Sequence, residues 1–142
     1  MKREGVLKIF RTTVLKCDTP TITGRVYPLD LIKKSLKNDK VLQEKLVNHT
    51  FYGDMGNKYD PEVNLSKVAF NVEKLYWYKN ELKAKIAILD TPAGQDLMKI
   101  YKKVAFRTAG VGDMNFEKII TNYELDRIVV VHRAELQNET NN

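Results

Sequence analysis

The segment DTPAGQDLMKIYKKVAFRTAGVGDMN (90–115) carries signals for a helix, a strand and a glycine-rich corner in succession. Thr91 is a suitable N-cap, because its hydroxyl oxygen can accept a hydrogen bond from a backbone N–H of the first turn. Pro92 fits the first helical position, where a missing N–H breaks no helical hydrogen bond. Apolar residues then recur at helical spacing on one face: Leu97, Tyr101 and Val104. We therefore predict a helix over 90–104, a short strand, and a corner at the glycines of GVG (110–112).

Strand signals flank this segment on both sides. Stretches rich in β-branched and alternating apolar residues are typical of strands. They occur at GVLKIFRTTVLK (5–16), SKVAFNVEKLYW (66–77), ELKAKIAIL (81–89) and around Ile128–Val131. The intervening YKN (78–80) suits a hairpin turn, and a further helix begins near Leu29 with a break near Asn38 and Asp39. The predicted fold class is α+β, with a mainly antiparallel β-sheet or barrel of six to seven strands and about two packed helices.

Length and composition limit the kinds of protein that this chain can be. The 142 residues suit one domain, which we place at 1–136, followed by a polar tail at 137–142. The formal net charge is +6, but the lysines are scattered among acids, so nucleic-acid binding is not expected. No apolar run is long enough to span a membrane, so no membrane association is expected. Cys17 is the only cysteine, which excludes an internal disulfide and fits a reducing compartment.

Few side chains indicate a catalytic or metal site on their own. The two histidines, His49 and His132, can serve as a base and its orienting partner, but an ordinary surface position also accounts for each. No cysteine pair or His-x-x-x-His spacing predicts zinc and no phosphate-binding glycine motif occurs, so no metal or cofactor is expected. Asp54, Asp60 and Glu62 lack the spacing of a calcium loop, and we interpret them as a solvated acidic loop.

Several short motifs occur in an order that resembles the prohead maturation proteases of tailed bacteriophages, a family related in fold to the herpesvirus assemblins. The motifs are TGRVYPLDLIKKSL (23–36), His49 followed by YGD (52–54), the strand pair, AILDTPAGQDLMKIYKK (87–103) and the glycine corner. Members of the family carry an Asn-Gly-Arg-x-Tyr-Pro-like element, a histidine before the first hairpin, a Thr-Pro-x-Gly helix start and a strand with a Ser-x-Arg segment. The resemblance implies a serine endopeptidase fold and a role in phage head assembly.

The resemblance also implies a set of site residues. In that family a serine attacks the peptide carbonyl, a histidine removes its proton, and a third residue orients the histidine. The base then corresponds to His49 and the orienting residue to His132. The serine is absent, because its position falls on Ala105 when Arg107 is taken as the arginine of Ser-x-Arg, or on Arg107 itself when the glycines are the anchor. Thr108 is the nearest hydroxyl, but three residues along a strand from Ala105 its side chain points to the other face.

Two explanations of the missing serine stay open: a natural relative that no longer cleaves, and a protease silenced by an alanine placed at the nucleophile position. We favour a non-cleaving head-assembly protein that binds phage capsid or scaffold proteins or remains in the virion, with the long loop 49–64 and the former substrate groove as contact surfaces. Its location would be the host cytoplasm during assembly and then the prohead or virion, and a homo-oligomer is compatible with this role.

The alternative is a genuine capsid maturation serine protease, active through another hydroxyl such as Thr108 or silenced by alanine. In an active enzyme the cation of Arg107 would help to stabilise the oxyanion. A third hypothesis is an unrelated basic domain that binds nucleic acid, and it predicts an affinity that falls steeply with added salt.

Overall fold

The structure is a computed structural model, and it describes residues 4–56 and 63–133. These residues form six β-strands and three α-helices, in the order β1 (Val6–Lys16), α1 (Leu29–Asn38), α2 (Lys40–Val47), β2 (Tyr52–Asp54), β3 (Val68–Tyr78), β4 (Glu81–Leu89), α3 (Pro92–Ile100), β5 (Val104–Val111) and β6 (Glu124–His132). The predicted α+β class is confirmed. Asp60, Glu62 and the tail 137–142 lie outside the described residues.

The strands form two antiparallel sheets around a shared core. One sheet has four strands in the order β1-β4-β3-β2, and the other pairs β5 with β6. Because β5 lies beside β1 and β6 beside β2, the two-stranded sheet closes the side that the four-stranded sheet leaves open. The predicted hairpin turn joins β3 to β4 at Lys79 and Asn80, and Lys79 adopts the left-handed conformation at φ 54°.

Three phenylalanines from β1, β3 and β5 meet inside this core. The ring centroid of Phe106 lies 5.4 Å from that of Phe10 and 5.3 Å from that of Phe70. The Phe70–Phe106 contact is edge-to-face, which is a favoured geometry for aromatic pairs. Because alternate residues of a strand point to opposite faces, the inward position of Phe106 places Ala105 and Arg107 on the outer face of β5.

The helical region before β2 consists of two short helices. Asp39 lies between them in an extended conformation, and its carboxylate accepts a hydrogen bond from the N–H of Leu42 at 3.1 Å. The predicted break near Asn38 and Asp39 is therefore present, and the described residues contain three α-helices where about two were expected. None of these three helices in the described part of the chain is long and apolar enough to cross a membrane.

The start of α3 follows its sequence signal. The hydroxyl oxygen of Thr91 accepts a hydrogen bond from the N–H of Gly94 at 2.9 Å, and the same hydroxyl donates to the carbonyl oxygen of Val68 at 2.6 Å. Thr91 therefore caps the helix and also fixes it to the first residue of β3. α3 is shorter than predicted, because a 3-10 turn over Tyr101–Lys103 replaces its last turn.

The prediction of a chain corner at the glycines 110–112 is wrong. β5 continues through Gly110 to Val111, and β6 begins only at Glu124. A Cβ on Gly110 would lie 2.1 Å from the carbonyl oxygen of Glu124 and 2.8 Å from the Tyr123 side chain. The glycine is thus required by close packing of the paired strands rather than by a turn.

Gly53 of β2 leaves the space that the Phe70 ring occupies, and we expect Gly53→Ala to be strongly destabilising. An added Cβ would lie 2.0 Å from the nearest ring atom, so the ring or the strand would have to move. Overpacking of this kind lowers the free energy of unfolding by about 1–3 kcal/mol, which urea denaturation would measure.

Gly5→Ala is the control for this substitution. An added Cβ at Gly5 meets no atom within 4 Å, so its cost is limited to the strain of a φ of 75°. An equal loss of stability in the two variants would contradict the packing role of Gly53.

Candidate functional site

The outer face of β5 carries Ala105 and Arg107, the two residues onto which the resemblance places the nucleophile. Ala105 pairs with Val131 and Arg107 with Val129 across the β5–β6 ladder, and directly opposed residues share a face. Ala105 is only 5% exposed and clusters with Val129 and Val131. The surroundings of Ala105 are therefore apolar.

The guanidinium of Arg107 is directed toward the seam between β5 and β1. Its Nη1 donates hydrogen bonds to the carbonyl oxygens of Phe106 at 3.0 Å and Thr13 at 3.5 Å. The side chain is half-buried. Because the bond to Thr13 joins β5 to β1, an edge strand of the four-stranded sheet, Arg107 has a structural role at this seam.

Thr108 lies on the opposite face of β5 from Ala105. Its register partner is Ile128, a fully buried core residue, and its side chain forms a hydrogen bond with Tyr123. Burial raises the pKa of Tyr123 to about 12, and the hydrogen bond with Thr108 opposes that rise. The one hydroxyl side chain of β5 is thus engaged away from Ala105, on the face that strand alternation predicted.

His132 stands opposite Val104 at the end of β6. Strand alternation therefore assigns its side chain to the face of Val104, whereas Val131 shares the face of Ala105. The side chain of His132 is exposed. The residues that the structure places beside Ala105 are valines, and the orienting role of His132 stays a prediction.

His49 lies on a groove at the outer face of the four-stranded sheet. It follows α2 with a φ of 57° and is exposed. The groove has a volume of about 390 Å³. Its lining consists of Glu4, Gly5, Val6, His49, Tyr52, Asn71, Glu73 and Leu89. Among the described residues, those that line the groove come from the N-terminal end, from β1 to β4 and from the segment between α2 and β2. The structure therefore does not place Ala105 in the same groove as His49. The assignment of His49 as a base stays a prediction.

Asn71 supplies a hydrogen-bond acceptor in the wall of this groove. It is 4% exposed and pairs with Tyr52 of β2 and Ala87 of β4. Within the described part of the chain, its side-chain oxygen has no hydrogen-bond partner. Buried polar atoms are nearly always hydrogen-bonded, so this unpartnered oxygen is an unusual feature of the sheet beneath the groove.

A buried ion pair that the sequence did not predict joins β2 to β6. The Nη2 of Arg127 donates to Oδ1 of Asp54 at 2.5 Å, and the two side chains are 1% and 2% exposed. The interpretation of Asp54 as part of a solvated acidic loop is therefore wrong. The available signal was Arg127 itself, a cation within an apolar strand, because a buried charge requires an opposite charge beside it.

Backbone groups complete the surroundings of this carboxylate. The N–H of Gly56 donates to one oxygen at 2.9 Å, and the N–H of Asn64 donates to the other at 2.6 Å. Burial raises the pKa of Asp54, but these two hydrogen bonds and Arg127 more than offset it and hold the pKa below its ordinary value of 3.8. The ionised carboxylate thus fixes both described ends of the loop that follows β2.

The fold is similar to that of the capsid assembly protease gp21 of bacteriophage T4. The two structures superpose with a TM-score of 0.68 at 17% sequence identity, over 85% of this chain and 80% of that chain. No family model matches the sequence, and no curated protein matches it either. The likeness confirms the predicted prohead-protease-like fold.

We expect Asp54→Asn to destabilise the protein severely. The substitution keeps the shape of the side chain but removes the negative charge that faces the buried guanidinium of Arg127. Removing one partner of a buried pair lowers the free energy of unfolding by about 3–5 kcal/mol, which urea denaturation at neutral pH would measure.

The control is Asp96→Asn in the exposed pair with Lys99, where the side chains are 72% and 77% exposed. Its free energy of unfolding should fall by less than about 1 kcal/mol. Equally small losses in both variants would show that the buried pair contributes little.

The same carboxylate predicts a pH dependence of stability. Because the pKa of Asp54 is lower in the folded than in the unfolded chain, its contribution is complete above 3.8 and is lost as the pH falls through the depressed folded value. The free energy of unfolding of the parent should therefore fall more steeply with acid below 3.8 than that of Asp54→Asn. Parallel curves for the two proteins, measured by urea denaturation across this range, would contradict the depressed pKa.

Proposed function

We propose that this chain acts in the assembly of a tailed-phage head as a protein of prohead-protease fold that binds capsid or scaffold chains without cleaving them. The observation that carries the proposal is the outer face of β5. Ala105 and Arg107 occupy the positions expected of the nucleophile, and neither can attack a carbonyl. The hydroxyl of Thr108 lies on the other face and is hydrogen-bonded to Tyr123.

The environment of Ala105 also supports a loss of catalysis. A serine nucleophile needs a base within hydrogen-bond reach and a group that orients the base. Val129 and Val131 occupy the neighbouring strand positions on this face, and neither valine can accept or donate a proton. The role in head assembly is supported by the sequence resemblance and by the fold shared with a protein described as a capsid assembly protease.

Under this proposal the partners are capsid or scaffold proteins, and the site of action is the prohead in the host cytoplasm or the finished virion. A homo-oligomer fits the same role. The alternative, a capsid maturation serine protease, is favoured by one feature. His49 is exposed beside a groove of about 390 Å³, as a base that meets a peptide substrate would need to be.

Intact mass spectrometry over time distinguishes the two proposals. The parent chain, Ala105→Ser and Ala109→Ser would each be incubated alone and with the capsid and scaffold proteins encoded in the same genome. Ala109 is a matched control, because it lies four residues further along the same face of β5. We expect no cleavage by any of the three, and co-purification of the parent with at least one head protein.

Other outcomes would contradict the proposal. Cleavage by the parent would mean that a hydroxyl of this chain is a nucleophile, and Thr108→Val would then test the first candidate. Cleavage by Ala105→Ser but not by Ala109→Ser would support the silenced protease, and adding His49→Ala should abolish that cleavage if His49 is the base. Failure to co-purify with any head protein would remove the binding role.

A further inference from the structure

Three basic residues form one row across the outer face of the four-stranded sheet. Arg11 of β1 pairs with Lys85 of β4, and Lys85 pairs with Lys74 of β3. Directly opposed residues share a face, and neighbouring strands lie about 4.8 Å apart, so the row spans about 10 Å. Arg11 and Lys74 are exposed and Lys85 is half-buried, which leaves the row open to solvent.

This arrangement is unfavourable within the chain itself. Like charges directly opposite each other on neighbouring strands destabilise a sheet, and Lys85 faces one on each side. None of the three cations forms an ion pair with the residues at 4–56 and 63–133, although Lys83 and Lys99 do. The ammonium of Lys74 lies 5.9 Å from the centroid of the Tyr76 ring, which is a cation–π contact. Within the described residues, the repulsion is therefore not offset by an ion pair between one of these cations and a carboxylate.

We propose that this row binds an acidic segment of a partner polypeptide, with its carboxylates over Arg11, Lys85 and Lys74. Electrostatic complementarity of this kind selects a partner and speeds encounter. Ile9, which is 41% exposed, lies next to the row on β1, and half-buried Tyr76 lies next to it on β3. These two side chains give the apolar contact that a peptide would use between its carboxylates.

A peptide fits this face better than the phosphate backbone of a nucleic acid. Glu73 precedes Lys74 on β3, and Glu81 lies at the start of β4, where it accepts a hydrogen bond from Thr13 at 2.8 Å. A long phosphate backbone that extended beyond the row would meet these carboxylates. Nucleic-acid sites instead neutralise a run of phosphates along an extended track of cations.

Binding of an acidic segment adds the chemistry of the partner to the proposed function. It rests on the proposed function only in taking that partner to be a head-assembly protein. It is tested without any head protein. Fluorescence anisotropy would measure the binding of a labelled poly-glutamate peptide to the parent, to Lys85→Gln, and to a variant with Arg11, Lys74 and Lys85 all changed to Gln. The control changes Lys34, Lys37 and Lys40 to Gln, because these exposed helix lysines carry the same total charge.

We expect the peptide to bind the parent, with affinity reduced about two- to fivefold in Lys85→Gln and about tenfold or more in the triple sheet variant. The helix-lysine control should bind within about twofold of the parent. The Tm of Lys85→Gln should equal or exceed that of the parent, because removing the middle cation relieves two like-charge pairs. This second readout separates lost binding from lost folding.

Four outcomes would overturn the inference. Three of them are that the peptide does not bind, that the helix-lysine control loses as much affinity for it as the sheet variants, and that the Tm of Lys85→Gln is lowered. The fourth is that a duplex DNA fragment binds more tightly than the peptide and that the sheet variants lose this binding. If the peptide binds but no head protein co-purifies, the proposed function fails while this inference stands. If head proteins co-purify but the peptide does not bind, only this inference fails.

Discussion

The ion pair between Asp54 and Arg127 is the contact through which the two sheets depend on each other. β2 has only three residues, too few for its ladder alone to hold the open edge of the four-stranded sheet against β6. A buried cation and a buried anion are each costly to remove from water and are tolerated only together, with their hydrogen bonds complete. Gly56 and Asn64 complete them for the carboxylate. The positions of Gly56 and Asn64 therefore depend on the ion pair that joins β2 to β6.

The second constraint is the alternation of side chains along β5. Phe106 points inward because Phe10 and Phe70 receive its ring on two sides. The side chains of all remaining residues of β5 are thereby assigned to one face or the other. No local adjustment can bring Thr108 to the face of Ala105 without removing Phe106 from the core. Removing a buried aromatic ring from the core lowers the free energy of unfolding by about 3–5 kcal/mol, which is more than one surface contact would add. In this chain the packing of Phe106 therefore keeps Thr108 and Ala105 on opposite faces of β5.

The outer face of the four-stranded sheet has two neighbouring features that the core does not need. One row across the strands contains Ile9, Ala87, Asn71 and Tyr52, and the next contains Arg11, Lys85 and Lys74. The first provides the unpaired acceptor of Asn71 beside His49, and the second provides the cations. Under the inference drawn above, the cations of the second row give this face the charge that suits an acidic segment of a polypeptide chain. Under the proposed function, a chain of this fold can retain such a surface without cleaving its partner, since binding does not require a nucleophile.

The sequence by itself determined the features whose causes lie within a few residues. Thr91 and Pro92 predicted the start of α3, Asp39 the break between two helices, and YKN (78–80) the hairpin, because caps and turns depend on hydrogen bonds between near neighbours. The same local periodicity placed Thr108 and Ala105 on different faces of one strand. The roles that the resemblance implies for Ala105 and Arg107 stay predictions.

Only the tertiary structure decided which distant residues meet. Asp54 and Arg127 are 73 positions apart, and nothing near Asp54 in the sequence distinguishes a buried carboxylate from a solvated one. The sequence predicted a chain corner at Gly110, because the group that requires a glycine there, the carbonyl oxygen of Glu124, belongs to another strand. The cation row exists because the register aligns β1, β4 and β3, and a shift of one residue would disperse it to both faces. Pairing between strands has no signature in the local sequence, since it depends on which strands the shared core brings together.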